Sequence, residues 1–329
     1  MARCSTGRRR LAARAGTECG DGGGRRRERA GNVAGMNEYA DATGLVERSA
    51  AALVNAIPEE SADDGFFGPA SIAWRISGDL SGPVAGLRSL MIQALHPLAM
   101  AGVDQHSDWR ADPVGRLAAT SAYLANITFG ERAAAERAAA RVRRIHERVN
   151  GIDPETHKSY AASDPALLLW VHAALVDSNI AARDLFGTPL SPDEADRYIE
   201  EMVIAAQLVG VPVELVPDSR ATLAKYLAWV QPQLLCTAAA RESMAYLLDP
   251  PGLDEDVAEI WQDIREATLI SLPGWAREKY GYTAPELTSA RRDEIRQALG
   301  VLDAVFLGEP GVLEARQRIT LRMRAASRA

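Results

Sequence analysis

Three dipeptides that pair a helix-capping residue with proline divide the chain into helical segments. They are Asp112-Pro113, Asp164-Pro165 and Ser191-Pro192. Asp and Ser side chains accept hydrogen bonds from the free N–H groups at a helix start, and proline suits the first helical position because its missing N–H costs nothing there. Glu194 stands three residues after Ser191 and completes a capping box. The sequence therefore predicts a chain built mainly from helices.

Apolar residues recur at helical spacing after these starts and in several further segments. Only 6% of the residues are aromatic, and the apolar mass is mostly Ala, Leu and Val, which favours packed helices. The predicted helices lie near residues 83–96, 113–128, 131–149, 165–185, 191–209, 219–247, 254–270, 285–306 and 312–326, with Gly130, Gly151 and Gly187 as stops. No repeat and no Gly/Ser linker divides the chain, so we expect an all-α fold in a single multi-helix domain.

Residues 1–35 differ in composition from the rest. They carry nine arginines against three acids, so the formal net charge of -7 for the whole chain leaves about -13 on residues 36–329. No apolar stretch of a secretory signal follows Arg8-Arg9-Arg10. We expect this Arg-rich head to be disordered and outside the fold; a second interpretation is that Met36 is the natural start. Residues 36–329 then form the helical domain.

Several classes of protein and site are disfavoured. A domain with this much negative charge is a poor partner for nucleic acid, because binding to the phosphate backbone needs clustered cations. Phosphate loops, dinucleotide-binding fingerprints, nucleophile elbows and His-Glu-x-x-His helices are missing from the sequence. Cys236 is the single cysteine after residue 35, which predicts a reducing, cytoplasmic location. The longest apolar run, 166–176, contains His172 and is shorter than the roughly 18–20 residues of a membrane span, so we expect no stable span.

All five histidines lie between residues 96 and 172. In the helix predicted over 131–149, His146 shares a face with Ala139, Val142 and Val149, whereas the arginines of that helix point elsewhere. His146 is therefore expected to face the interior. A buried imidazole needs a partner for each nitrogen. Two interpretations stay open: a metal on one nitrogen, or a core histidine bonded to a carbonyl.

The helix that Asp112-Pro113 begins places Arg116, Thr120, Tyr123 and Ile127 on one face. A charged Arg on a face that should pack inward must be paired or have a function. Either Arg116 is a cationic donor over a reaction cavity, or it forms a buried salt bridge or extends its charge to the surface.

The other histidines have different settings. His96 precedes Pro97, which frees a carbonyl of the preceding turn, so the helix should kink or end there and His96 could line a cavity. His172 lies in the most apolar helix, where it either joins the site of His146 or belongs to a buried polar network. His106 and His157 lie in polar loops and are expected to be exposed.

Five motifs in order resemble the MpaB/latex-clearing-protein oxygenase family. They are Ala-Leu-His-Pro-Leu-Ala-Met-Ala-Gly-Val at 94–103, Asp-Pro-Val-Gly-Arg-Leu-Ala-Ala-Thr at 112–120, His-Glu-Arg-Val-Asn-Gly at 146–151, Tyr-Ala-Ala-Ser-Asp-Pro-Ala-Leu-Leu-Leu-Trp-Val-His at 160–172 and Leu-Val-Gly-Val-Pro at 208–212. The resemblance spans about Gly65–Trp229. It implies a mostly helical protein that holds haem b between helices.

The resemblance also implies roles for individual residues. His146 would be the axial iron ligand, with Arg116 and Thr120 on the opposite, distal side. Beside these three, His96 is a further candidate for catalysis, and Tyr123, Trp170 and His172 are candidates for contact with the cofactor. The rubber-cleaving members have a lysine before the distal threonine, where this chain has Ala119, so rubber is not implied as substrate. The expected reaction is oxygenation of a small hydrophobic, isoprenoid-like substrate with dioxygen or peroxide.

Two alternatives stand beside the haem enzyme. The first is a non-haem iron or zinc enzyme that uses His96, His146 and His172 with a carboxylate such as Asp177. The second is a helical protein that binds a hydrophobic ligand without a metal or catalysis. The sequence makes no prediction of oligomeric state.

Overall fold

The computed structural model describes residues 42–57, 63–250, 253 and 255–328. The Arg-rich head of residues 1–35 lies outside these ranges. The structure is 72% helical, with fourteen α-helices and one two-stranded sheet. This confirms the predicted all-α fold.

The helices of the first half precede and follow a short hairpin. They are α1 (Ala42–Ala56), α2 (Ile72–Ser77), α3 (Gly82–Ala94), α4 (Pro97–His106), α5 (Pro113–Phe129), α6 (Arg132–His146) and α7 (Pro165–Phe186). Between α6 and α7, the antiparallel strands β1 (Asn150–Ile152) and β2 (Ser159–Ala161) pair, with Gly151 opposite Tyr160.

The second half continues with α8 (Pro192–Val209), α9 (Arg220–Val230), α10 (Ala238–Leu248), α11 (Glu255–Ser271), α12 (Gly274–Tyr280), α13 (Ser289–Leu307) and α14 (Val312–Ala326). Two 3₁₀ turns, Val213–Leu215 and Gln231–Gln233, flank α9.

The three predicted helix starts are confirmed by their caps. Asp112 accepts a hydrogen bond from the backbone N–H of Gly115 at 2.8 Å, and Asp164 accepts one from that of Ala166 at 2.9 Å. Ser191 and Glu194 form the reciprocal capping box that their spacing predicts. Helices α5, α7 and α8 consequently begin where the sequence places them.

Helix α7 lies at the centre of the domain and packs against α3, α8 and α11. Its residues enter core clusters on several sides, with Trp170 and Ala174 in one and Ala173 and Val176 in another. At 22 residues and a mean hydropathy of 1.3 in its most apolar window, α7 is long and apolar enough to cross a membrane by length and composition alone, and half of that window is buried inside the domain. Such burial is equally typical of a core helix.

Some predicted boundaries are wrong. The helix predicted over 219–247 is two helices, α9 and α10, because Pro232 lacks the N–H that a continuous helix needs and the chain turns there. The helix predicted over 131–149 ends at His146, and Gly151, predicted as its stop, is part of β1. Helices α1, α2, α4 and α12 were not predicted; α2, α4 and α12 have ten residues or fewer, and such short helices show little periodicity.

The chain turns sharply between α3 and α4, as Pro97 predicts. Proline occupies the first position of α4, and His96 is the residue before it. The carbonyl of Gln93 accepts the indole N–H of Trp170 at 3.0 Å. This turn therefore ties the end of α3 to the first half of α7.

Candidate functional site

His146 is the last residue of α6 and is half-buried. Ala139, two turns earlier on the same face, is fully buried. The Nδ1 atom of His146 is buried and has no hydrogen-bond partner among the described residues. Burial lowers the pKa of His146, and the positive charge of Arg116 lowers it further. The ring is therefore a neutral imidazole at pH 7 with a nitrogen available to a ligand.

The opposite face of α6 is cationic and exposed. It presents Arg137, Arg141 and Arg144, and Arg148 is exposed just after the helix. This division between an inward histidine and outward arginines is the one that helical spacing predicts, and it fixes which way the end of α6 faces.

Arg116 projects from the first half of α5 and donates a hydrogen bond from Nη1 to the hydroxyl of Ser107 at 2.8 Å. Burial lowers the pKa of its guanidinium, although the side chain is open to solvent. The lowered pKa and the exposure to solvent are both expected of a side chain that lies in a concavity, where protein atoms surround it but water can reach it. No ion pair joins Arg116 to an acid in the described ranges, so the buried salt bridge considered from the sequence is not formed.

Thr120 and Tyr123 follow Arg116 along α5. The Thr120 hydroxyl is exposed and donates to the carbonyl of Arg116 at 3.1 Å. Tyr123 packs against the core cluster that contains Ala173 and Val176 of α7. Burial raises the pKa of Tyr123 to about 12, so its hydroxyl is neutral and available as a donor. The predicted face of α5 is thus buried at its far end and open near Arg116.

His172 is buried in the middle of α7, and burial lowers its pKa to about 4. Neither ring nitrogen bonds to another described residue, so the buried polar network considered from the sequence is not observed. The neighbouring Val171 is 40% exposed although it lies in the centre of the most apolar helix. Val171 is therefore an apolar side chain of α7 that is open to solvent.

Contacts between helices bring these residues into one region. The guanidinium of Arg143, on α6, donates to the carbonyl of Leu208 at the end of α8. Gly210 ends α8 with φ of 111°, and a Cβ built there would lie 3.8 Å from Leu168 of α7 and 4.0 Å from Cδ of Arg143. Arg116 is meanwhile fixed to Ser107, just after α4. The end of α6 therefore lies beside the end of α8 and the first turn of α7, and the charge of Arg116 on α5 reaches His146.

Trp170 and His96 lie next to each other. Trp170 is fully buried in a core cluster with Met91 and Leu95, and its ring is two residues, about 200°, around α7 from His172. The ring centroids of His96 and Trp170 are 6.2 Å apart. Burial lowers the pKa of His96, whose Nδ1 is buried without a described partner. The roles of both residues in the site stay predictions.

The other candidate residues are His157, His106 and Asp177. His157 is exposed in the hairpin turn, as predicted, with φ of 56°. His106 is exposed, and its Nε2 lies 3.1 Å from the carbonyl of Asn150, a contact not foreseen from the sequence. Asp177 pairs with Arg88 at 2.7 Å.

Within the described part of the chain, no three His, Cys, Asp or Glu side chains lie close enough to hold a metal ion. His96, His146, His172 and Asp177 form no such group among these residues, and Asp177 is paired with Arg88 at 2.7 Å.

Sequence patterns missed Ser107, Arg143 and Val171. Ser107 stands in a polar loop and gives no sign that it holds Arg116. Arg143 looks like one more arginine of α6, and its contact with Leu208 depends on the arrangement of α6 and α8. The residues around Val171 in the sequence are apolar, and this pattern predicts a position in the core and not an exposed one.

The depressed pKa of His172 predicts an acid sensitivity. The folded protein holds the ring neutral, while the unfolded chain protonates it below pH 6.5. Stability is thus retained above pH 6.5 and lost as the pH falls toward 4, by about 2 kcal/mol at pH 5. Urea unfolding at pH 7.5 and 5 should show a smaller loss in His172→Gln than in the native protein. An identical pH dependence in both would contradict the neutral, buried ring.

The fold and the site define an all-α enzyme domain in which helices surround neutral imidazoles and a cation. A family profile described as ER-bound oxygenase mpaB/B'/Rubber oxygenase, catalytic domain, matches residues 74–304. The chain belongs to this family of oxygenases and is an oxidoreductase. The matched region continues beyond Trp229, where the motif resemblance ends. Neither the curated proteins nor the solved structures gave a match.

Proposed function

We propose that this protein is a haem b-dependent oxygenase that acts on a small hydrophobic, isoprenoid-like substrate with dioxygen or peroxide. The observation that carries the proposal is the neutral imidazole of His146, whose buried Nδ1 has no described partner and which lies within the electrostatic reach of Arg116. Family membership supports the oxygenase class. We further propose a cytoplasmic location.

The side chains present fit a haem group. A metal ligand must be a deprotonated imidazole nitrogen, and burial keeps His146 neutral. One imidazole from the protein would be sufficient to hold a haem iron, because the porphyrin itself would supply the remaining nitrogen ligands. The site therefore does not need the three-residue cluster that a non-haem centre would require. His146 would hold the iron, and bound haem would supply the activation of dioxygen or peroxide.

The chain's own residues would position and polarise the reactants. Arg116 offers guanidinium N–H donors, and its bond to Ser107 restricts the orientation of the group. A fixed cationic donor in a partly desolvated position interacts strongly with an oxygen atom that gains negative charge. The hydroxyl of Thr120 donates its hydrogen bond to the carbonyl of Arg116, so Thr120 would act as an acceptor or as a spacer in this conformation.

The apolar side of the site comes from α7. Val171 is partly exposed and Leu175, one turn later, is half-buried. Apolar side chains on this wall would exclude water from the reacting group and contact a hydrophobic substrate. Ala119, on α5, is exposed and small, so it leaves room beside Arg116 where a lysine would fill it.

The second function considered, a hydrophobic-ligand protein without cofactor, predicts protein that takes up no haem.

The role of Arg116 is tested with an anionic haem ligand rather than an unidentified substrate. In haem-loaded Arg116→Leu, we expect cyanide to bind about 10- to 100-fold more weakly, because a charge-assisted hydrogen bond contributes about 1.5–3 kcal/mol. The measurement is an optical titration of the Soret band. Arg144→Leu removes the same cation from the exposed side of α6 and should leave cyanide affinity unchanged. Equal cyanide affinities in the native protein, Arg116→Leu and Arg144→Leu would show that Arg116 is not part of the site.

A further inference from the structure

An open cleft of about 390 Å³ lies between the 3₁₀ turn Val213–Leu215 and helix α9. Its walls include Leu215, Val216, Tyr226 and Trp229. The rings of Tyr226 and Trp229 are 6.1 Å apart, tilted by 35°. The volume falls within the range of about 300–1,000 Å³ that is typical of small-molecule sites.

Two large apolar side chains of this cleft are exposed, Trp229 at 65% and Leu215 at 51%. Val213, 52% exposed, adjoins Glu214 of the cleft. Single exposed apolar side chains are ordinary on a folded protein, but a group of them around one concavity indicates a binding surface. Exposed tryptophan offers a large apolar area with little conformational entropy to lose on binding.

Tyr226 connects the cleft to the interior. It lines the cleft and also packs against three separate core clusters of the domain. One of these clusters joins Val216, from the cleft, to Leu168 of α7. Leu168 lies one helical turn before His172, on the same face. A single layer of side chains therefore separates the cleft from the part of α7 that carries the candidate site.

Charges at the cleft do not select for an ion. Lys225 is opposed by Glu214 and Asp218, and Asp218 accepts a hydrogen bond from Thr222 at 3.1 Å. Binding would therefore come from the apolar and aromatic walls, and the ligand that fits them is uncharged, elongated and mainly apolar.

We propose that this cleft is a recruitment site that binds an uncharged apolar chain, such as a long-chain alcohol, before it reaches the interior site. That the bound molecule is the oxygenase substrate rests on the proposed function; that the cleft binds it does not. Trp229 and Leu215 hold the chain at the surface, and Tyr226 forms the wall through which it would pass.

The test uses 11-bromoundecanol, whose bromine quenches tryptophan fluorescence on contact. We expect saturable quenching of the native protein and its loss in Trp229→Phe, which removes the exposed indole among the six tryptophans of the chain. Undecanol without bromine should compete but not quench. Calorimetry with octanol should show about tenfold weaker binding in Trp229→Ala, equivalent to about 1.4 kcal/mol.

Leu321→Ala is the matched control, because Leu321 is 63% exposed on α14 and lies outside the cleft. Unchanged quenching in Trp229→Phe, or equal octanol affinity in Trp229→Ala and Leu321→Ala, would overturn the recruitment site. So would a change of sedimentation in Trp229→Ala without a change of alcohol binding, since the cleft would then serve a second copy of the chain. Alcohol binding in protein that takes up no haem would support the cleft and refute the haem proposal separately.

Discussion

Replacement of His146 by alanine is expected to abolish haem binding. The native protein, produced with added haem, should show a Soret band, and His146→Ala should lack it because the proposed iron ligand is gone. The imidazole ring is available for this role, since its Nδ1 is buried without a described partner and burial keeps the ring neutral. Optical absorption of the purified proteins is the measurement.

Two controls separate loss of a ligand from loss of the fold. His106→Ala removes an exposed histidine from the same region of the sequence and should keep the band. Free imidazole added to His146→Ala should restore part of the absorption, which a misfolded protein would not allow. A normal Soret band in His146→Ala would refute the ligand assignment, and a native protein that takes up no haem would refute the class of cofactor.

Features with a local cause were predictable from the sequence. The capping pairs fix the starts of α5, α7 and α8 because the cap and the proline act within a single turn. The inward orientation of His146 follows from helical spacing alone, since Ala139 and the exposed arginines define two faces of α6. Helix type and facing direction thus need no knowledge of the neighbouring helices.

Features that depend on packing between distant segments were not predictable. Trp170 and His172 stand in one motif, yet two residues along a helix turn them to nearly opposite sides, and only the position of α3 shows that Trp170 faces the core. The attachment of Arg116 to Ser107 depends on how α4 approaches α5. Two residues of one motif therefore face different sides of α7.

Helix α7 links the candidate site to the stability of the domain. One side of it carries His172 and the partly exposed Val171, and the other carries Trp170. Arg88 of α3 contacts Asp177 and Ser178 near its middle at 2.7 and 2.8 Å. A helix that is held on one side by a buried cation and an indole keeps its other side in a fixed position for a ligand.

The largest effect on stability is expected from Trp170→Ala. Trp170 is 0% exposed, and its indole N–H donates to the Gln93 carbonyl at 3.0 Å. Its removal leaves a cavity between α3 and α7 and should lower the free energy of unfolding by about 3–5 kcal/mol. The total free energy of unfolding of most domains is only about 5–15 kcal/mol. Urea unfolding should therefore show a much lower midpoint, while Trp229→Ala, which removes a 65% exposed indole, should change it by less than about 0.5 kcal/mol. Equal midpoints for the two variants would show that Trp170 does not anchor α7 to α3.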